Sequence, residues 1–267
     1  MAGKAIIVVN EKGGVGKTTT SVQIAFELSE RGFKVCLVDN DPSGDASKAL
    51  FGTAIPDCIA LANTPEGKSN TLKMYLQDVE FDPVKIEDNE NLYFMGAGDK
   101  DALAQVENDL NTAFRFENNI EEMLEVFDYV IIDCPPSFGI QFTAAILSAE
   151  KGGVLIPYVP EELSFSAACK MDARITEMNK KMRREIKIIG FMANNYEVNP
   201  LSISTKYYLE QMLEQHGELV FKAHRHRATP VRDAIALQES LSKHAKKGSK
   251  AMNQLVDVVD EFLVRVE

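Results

Sequence analysis

The nine residues Lys12–Thr20, KGGVGKTTT, constrain this chain more than any other stretch. Gly13, Gly14 and Gly16 allow a backbone that wraps closely and turns its N–H groups inward, toward an anion. An apolar run, Ala5–Val9, precedes the turn, and an amphipathic stretch, Lys17–Arg31, follows it. Strand, turn and helix in that order set the positive end of a helix dipole against the cradle. Such a loop suits a nucleotide's phosphates. Val15 sits within it, Lys17 reaches the β- and γ-phosphates, Thr19 faces the α-phosphate, and the Thr18 hydroxyl is a ligand for Mg2+.

Apolar runs then alternate with helix-period segments. Strands are expected at Ala5–Val9, Phe33–Asp39, Asn91–Ala97, Asp128–Pro136, Gly152–Val159, Ile186–Asn194 and, briefly, Glu218–Ala223. Helices are expected at Lys17–Arg31, Glu117–Phe127, Gln141–Glu150, Leu163–Arg184, Leu201–Gln215 and Ser242–Val264. Near-continuous apolar strands are covered on both faces, and strands separated by helices form right-handed crossovers. The fold class is therefore α/β: one domain over residues 1–267, a mostly parallel twisted sheet flanked by helices. The polar, proline-containing region Thr53–Glu90 reads as loops with a short helix. Ligands of such sheets bind beyond the strands' carboxyl ends, where Asn10–Gly16, Asp39–Asp45 and Asp133–Ser137 fall. YVIIDCPPS places Asp133 at the tip of a buried strand, where a carboxylate holds Mg2+ through water.

The loop departs from the common G-x-x-x-x-G-K-[ST] pattern, because Glu11 stands where its first glycine belongs. Lys12 precedes the glycine pair instead. KGGVGKTTT resembles the deviant Walker A signature of the ParA/MinD family, KGGxGK[ST], at every specified position. VDNDPSGDAS resembles that family's segment after the second strand, with Ser43 and Asp45 in place of the usual Gln and Asn. The resemblance covers nearly the whole chain, most strongly residues 4–47 and 128–140. It implies an ATPase that uses ATP and Mg2+ and forms a homodimer with ATP. Lys12 would cross the interface to the partner's phosphates, and Lys17 would serve its own nucleotide. Asp39 would lie near the magnesium shell and Asp41 would orient the attacking water, so Lys12, Lys17 and Asp41 are the catalytic candidates. By the same resemblance Asn194 would end the strand that borders the adenine; its turn-rich surroundings (NNYEVNP) equally suit a structural asparagine.

The chain is acidic, with net charge −11. Bulk attraction to nucleic acid is excluded, so any DNA contact needs a local basic surface. Residues 222–250 supply one: eight Lys/Arg against Asp233 and Glu239, a local +6. Arg225, Arg227, Arg232, Lys243, Lys246 and Lys247 are the candidates for tracking a DNA backbone without reading sequence. ParA-type relatives bind non-specific DNA as ATP dimers and answer to a ParB-like activator or cargo adaptor, which the resemblance extends to this chain. A MinD-like membrane cycle would need a basic amphipathic C-terminal helix. In QLVDVVDEFLVRVE acids outnumber the single Arg, so no membrane partner is expected. A metabolic ATPase on the same scaffold is the remaining alternative. Cys36, Cys58, Cys134 and Cys169 form no CxxC pair and read as reduced thiols. No helix-turn-helix segment precedes the loop, and a cytoplasmic, nucleoid-associated protein is expected.

Overall fold

The computed structural model describes residues 3–76, 80–197 and 202–267. Its strands are β1 (Lys4–Val8), β2 (Val35–Asp39), β3 (Val84–Lys85), β4 (Leu92–Met95), β5 (Tyr129–Asp133), β6 (Gly153–Tyr158) and β7 (Ile188–Ala193). They form one sheet in the order β3-β4-β2-β5-β1-β6-β7. Every pairing is parallel except that of β3 with β4.

The strands form where β-branched and aliphatic residues run without interruption, since these pack well on a pleated surface buried on both sides. Side chains alternate between two cores. Ile7, Val38, Val130, Ile132 and Ile156 face a layer containing Phe116, Ile120, Phe142 and Ile146. Ile6, Val8, Leu37, Ile131 and Leu155 face the other, with Val22, Leu28, Val258 and Phe262.

Three expected elements differ, the first being the helix expected at Glu117–Phe127, which spans Leu110–Met123. Glu218–Ala223 is not a strand of the sheet. A single 3-10 turn occupies Gly217–Leu219, and Val220 makes one isolated bridge to Phe191. The seventh strand is instead the two-residue edge β3, within the region expected to be loops. The expected helix Ser242–Val264 is two, Leu241–His244 and Lys250–Val266, divided at Gly248, whose φ is +81°. Ser249 caps the second through a bond from Met252 N. The expected helix start at Leu201 lies outside the described residues; that helix is described from Ile203 to His216.

The helix Lys250–Val266 buries Leu255, Val258, Val259, Phe262 and Val266 in the core. Arg265 fastens it by donating to the Ile189 and Val220 carbonyls at 3.1 and 3.0 Å. Its apolar face is therefore covered by the protein itself. No helix among the described residues is long and apolar enough to cross a membrane.

Ile131, fully buried in the central strand, tests this packing. Ile131→Ala is expected to lower unfolding free energy in urea by roughly 2–5 kcal/mol. A loss well below that range would mean that this face of β5 is not close-packed.

Candidate functional site

The loop after β1 is held open by backbone geometry and by two asparagines. Gly14 and Gly16 have φ of +78° and +84°, in the left-handed region that favours glycine. A Cβ on Gly16 would come within 2.4 Å of Asn194 Nδ2. Asn10, wholly buried, donates from Nδ2 to the Pro157 carbonyl at 2.9 Å and accepts from Lys12 N at 2.9 Å. Asn194 donates from Nδ2 to the Val15 carbonyl at 2.8 Å. Its amide nitrogen is therefore engaged with the loop. Lys17 begins the helix Lys17–Glu30 and its side chain is buried beneath the cradle.

Strand register gathers the acids. Val8 pairs with Asp133 and Asp133 with Asp39, so three strand ends meet beside the loop. Asp133 accepts from Thr18 Oγ1 at 2.7 Å and from Ser21 Oγ at 3.0 Å. Asp39 accepts from both Ser47 N (2.8 Å) and Ser47 Oγ (2.7 Å). Both carboxylates are wholly buried. Burial, together with the neighbouring Asp133, pushes the Asp39 pKa up to about 8 despite the Ser47 bonds. Burial likewise pushes Asp133 up to about 7, against Thr18, Ser21 and Lys17. Among the described residues neither Asp39 nor Asp133 has a Lys or Arg nitrogen within 4.0 Å, whereas Glu11 at the loop's mouth does. No group of three or more His, Cys, Asp or Glu side chains among them forms a self-contained metal cage. Hard oxygen donors beside a phosphate cradle need no such cage, because Mg2+ takes one or two protein ligands and completes its shell with phosphate and water.

Asp41 is half-buried at the same end. Its Oδ1 accepts from Ser43 N at 2.8 Å, which leaves Oδ2 without a hydrogen-bond partner among the described residues. Lys12 is half-buried at the loop's entrance and has no carboxylate within 4.0 Å among the described residues. Its neighbour Glu11 is drawn to Lys170 at 3.6 Å. Asp45 opens the helix Asp45–Phe51 and pairs with Lys48.

The basic residues divide into two places. Arg225, Arg227 and Arg232 line a cavity of about 580 Å³ next to Gly14, Gly16, Thr19, Asn194 and Asn195. Arg225 is a correction to the sequence reading: it is only 4% exposed, so it cannot lie along a DNA backbone. Its backbone N donates to the Ala193 carbonyl at 3.0 Å, which draws the side chain into the wall of the cavity. Nη1 has no partner among the described residues, and burial pushes the guanidinium down to about 10. Arg227 and Arg232 are exposed, Arg227 with Glu197 at 3.3 Å. Lys243, Lys246 and Lys247 are exposed near the start of the C-terminal helix. Lys243 is shared between Asp88 and Glu239, at 3.6 and 3.5 Å. His226 is no cation at neutral pH, because burial pushes it down to about 4.

Asn10, Ser21 and Ser47 escaped the sequence reading. Ser21 reaches Asp133 and Asn10 reaches Pro157 across the sequence, and Ser47 sits eight residues past Asp39 in no recognised motif, so no local pattern marks them.

A family profile described as an AAA domain matches residues 3–188. The sporulation initiation inhibitor protein Soj of Bacillus subtilis is 31% identical over 193 residues, 71% of this chain and 72% of that protein. In structure the chain is similar to apo McdA of Cyanothece (TM-score 0.81, 21% identity, 97% and 99% of the two chains). It is also similar to the septum site-determining protein MinD of Pyrococcus horikoshii complexed with Mg-ADP (TM-score 0.72, 20% identity, 97% and 95%). Together with the deviant loop on a seven-stranded sheet, these matches mean that the chain belongs to the ParA/MinD superfamily of partition and positioning ATPases.

Proposed function

We propose that the chain hydrolyses ATP with Mg2+, dimerises when ATP is bound, and as that dimer binds DNA non-specifically to position a cargo, a ParB-like partner stimulating turnover. What carries the reading is the floor of the loop, where Thr18 and Asp133 meet at 2.7 Å beside buried Lys17 and Asp39. Mg2+ would be held by Thr18, with Asp133 and Asp39 behind it, and when bound would neutralise charge on the β- and γ-phosphates. Gly13, Gly14, Val15 and Gly16 offer backbone N–H groups to the phosphates, and Thr19 adds a hydroxyl. Lys17 binds the terminal phosphates in its own protomer. Asp41 uses its free Oδ2 to orient the attacking water, a task of positioning that an ordinary carboxylate performs. The cavity beside the loop takes the nucleoside, with Arg225, Arg227 and Asn194 in its wall.

Among the described residues Lys12 has no cis partner, and no cis phosphate is left for it to serve. In a two-fold dimer its ammonium would complete the partner's site, where added positive charge stabilises the transferring phosphoryl group. DNA contact falls to Lys246, Lys247 and Lys243, with Arg232 at the rim of the nucleoside cavity. The burial of the C-terminal apolar face in the core favours this reading over a membrane cycle.

Three outcomes are expected. In sedimentation with ATP and Mg2+ the protein should run as a dimer, and Lys12→Ala should run as a monomer while still binding ATP; a Lys12→Ala dimer would exclude the trans role. At low salt, DNA retention should require ATP and weaken in Lys246→Ala/Lys247→Ala, with the slope of log K against log salt shallower by about 0.9 for each phosphate no longer neutralised. An unchanged slope would remove both lysines from the interface. The third outcome concerns pH. Asp39 and Asp133 hold protons in the native state at pH values where the unfolded chain has lost them. Stability they contribute is complete below the unfolded value and is lost as pH rises toward about 8. His226 acts oppositely, but its contribution is complete above pH 6.5. Nucleotide-free protein should thus lose about 1–2 kcal/mol in urea unfolding between pH 6.5 and 8. Asp39→Asn should flatten that slope, and saturating Mg-ATP should remove it. A slope identical in Asp39→Asn would show that the buried pair is ionised throughout.

A further inference from the structure

Cys169 stood in the sequence as a thiol with no mate. In the fold it has one. Its Sγ lies 3.5 Å from His216 Nε2, across the seam between the helices Glu162–Met182 and Ile203–His216. The other ring nitrogen, Nδ1, lies 3.4 Å from Asp172 Oδ2, three residues along the helix from Cys169. The imidazole is fixed by stacking on Phe191, with centroids 4.2 Å apart and planes 36° from parallel. Gln215 Oε1 is 3.5 Å from the sulfur on the exposed side. Nucleophile, base and a carboxylate that orients the base stand in line, the arrangement that activates a weak nucleophile. The Asp172 carboxylate accepts a proton only if it sits on Nδ1, which leaves Nε2 to accept from the thiol.

The other cysteines lack this setting. Cys36 and Cys134 are buried in the sheet. Cys58 is half-buried, like Cys169, but has no hydrogen-bonding partner at sulfur among the described residues. The cluster also lies outside the nucleotide residues named above, although Lys170, next in sequence, pairs with Glu11 beside the loop.

We propose that Cys169 is a site of covalent modification by small peroxides, with His216 as its base and Asp172 as the positioning residue for that base. Burial holds the thiol above and the imidazole below their ordinary values, so the resting pair is neutral. The proton therefore moves during attack. The S–H proton passes to Nε2 as sulfur attacks one peroxide oxygen. The O–O bond breaks, an S–O bond forms, and the departing hydroxide takes the proton from the imidazolium. Thiol and hydrogen peroxide give sulfenic acid and water; sulfur loses two electrons and the peroxide gains them. An adduct here would sit in the helix seam and press on the helix that carries Lys170. The inference does not depend on what the loop binds.

The test treats the native full chain with hydrogen peroxide in the presence of dimedone, which traps sulfenic acid, and follows each cysteine peptide by mass spectrometry. Cys169 should be labelled about tenfold faster than Cys58. His216→Phe, which keeps an aromatic ring against Phe191, and Asp172→Asn, which keeps the side chain's shape, should each slow Cys169 severalfold and leave Cys58 unchanged. If His216→Phe speeds Cys58, the fold has opened and Asp172→Asn alone decides. Equal rates at Cys58 and Cys169 in the native protein, or a Cys169 rate in Asp172→Asn within twofold of the native one, would overturn the proposal.

Discussion

The side-by-side ending of β1, β5 and β2 is the constraint on which the site depends. Parallel strands buried on both faces have no polar surroundings along their length. Polar groups can be tolerated only at the ends, where a loop or helix terminus meets them. Val8, Asp133 and Asp39 stand in one row at that end. A one-residue slip in either pairing would turn a carboxylate to the opposite face of the sheet. The apolar alternation of Ile131 and Ile132 against two separate cores forbids that slip. Packing thus fixes the position of the acids, and the acids fix what the loop can hold. The arrangement costs stability, since each buried carboxyl must either keep its proton or, once ionised, forgo several kcal/mol of hydration. Ser47, Thr18 and Ser21 offset part of that cost, and a cation bound beside a phosphate would offset more. Folding and ligand binding are therefore linked at these two residues.

The strands of the sheet centre were legible because a buried parallel strand writes itself as an uninterrupted apolar run. That signal misled at Glu218–Ala223. Val220 and Phe221 are buried as any such run requires, but they reach the core from a segment making only one bridge to Phe191. Apolar sequence reports burial, and a ladder of hydrogen bonds is a separate matter. The edge β3 shows the converse. Two residues pairing antiparallel with β4 carry no periodicity to read. The break between Leu241–His244 and Lys250–Val266 did have a local signal, Gly248 followed by Ser249. A left-handed glycine ends one segment and a hydroxyl caps the next.

The candidate site divides the same way. Gly13 to Thr19 form one contiguous stretch, a loop running into the first turn of a helix, whose chemistry depends on residue type and spacing, so it could be read directly. Asp133 and Asp39 were legible as strand tips. Asn10 was not, because its work is done by a contact that only the sheet's connectivity creates, to Pro157, 147 residues away; Ser47, eight residues past Asp39, belongs to no motif that marks it. The basic segment exposes the limit of counting charge. Residues 222–250 carry a net +6 however they fold, but charge says nothing of direction. The bond from Arg225 N to Ala193 O sends that side chain inward, while Lys246 and Lys247 remain outside. One sequence cluster becomes a cavity wall and a separate surface.

The two adjacent charges at the mouth of the loop argue for how a dimer would be timed. Glu11 is neutralised within the chain by Lys170, so it does not compete for Lys12. The backbone of Lys12 is fixed by Asn10, while its long side chain has no carboxylate among the described residues to hold it. Ordering such a chain costs up to about 2 kcal/mol of rotamer entropy. In the proposed site Lys17 would already meet the phosphates of its own protomer, so little would be gained by ordering Lys12 in cis. A triphosphate presented by a second copy offers concentrated negative charge in a desolvated interface, where the attraction exceeds that cost. A nucleotide lacking its terminal phosphate offers less, and the balance returns toward the monomer. In the proposed dimer the number of phosphates would decide the association state, and the second lysine would be the group that counts them.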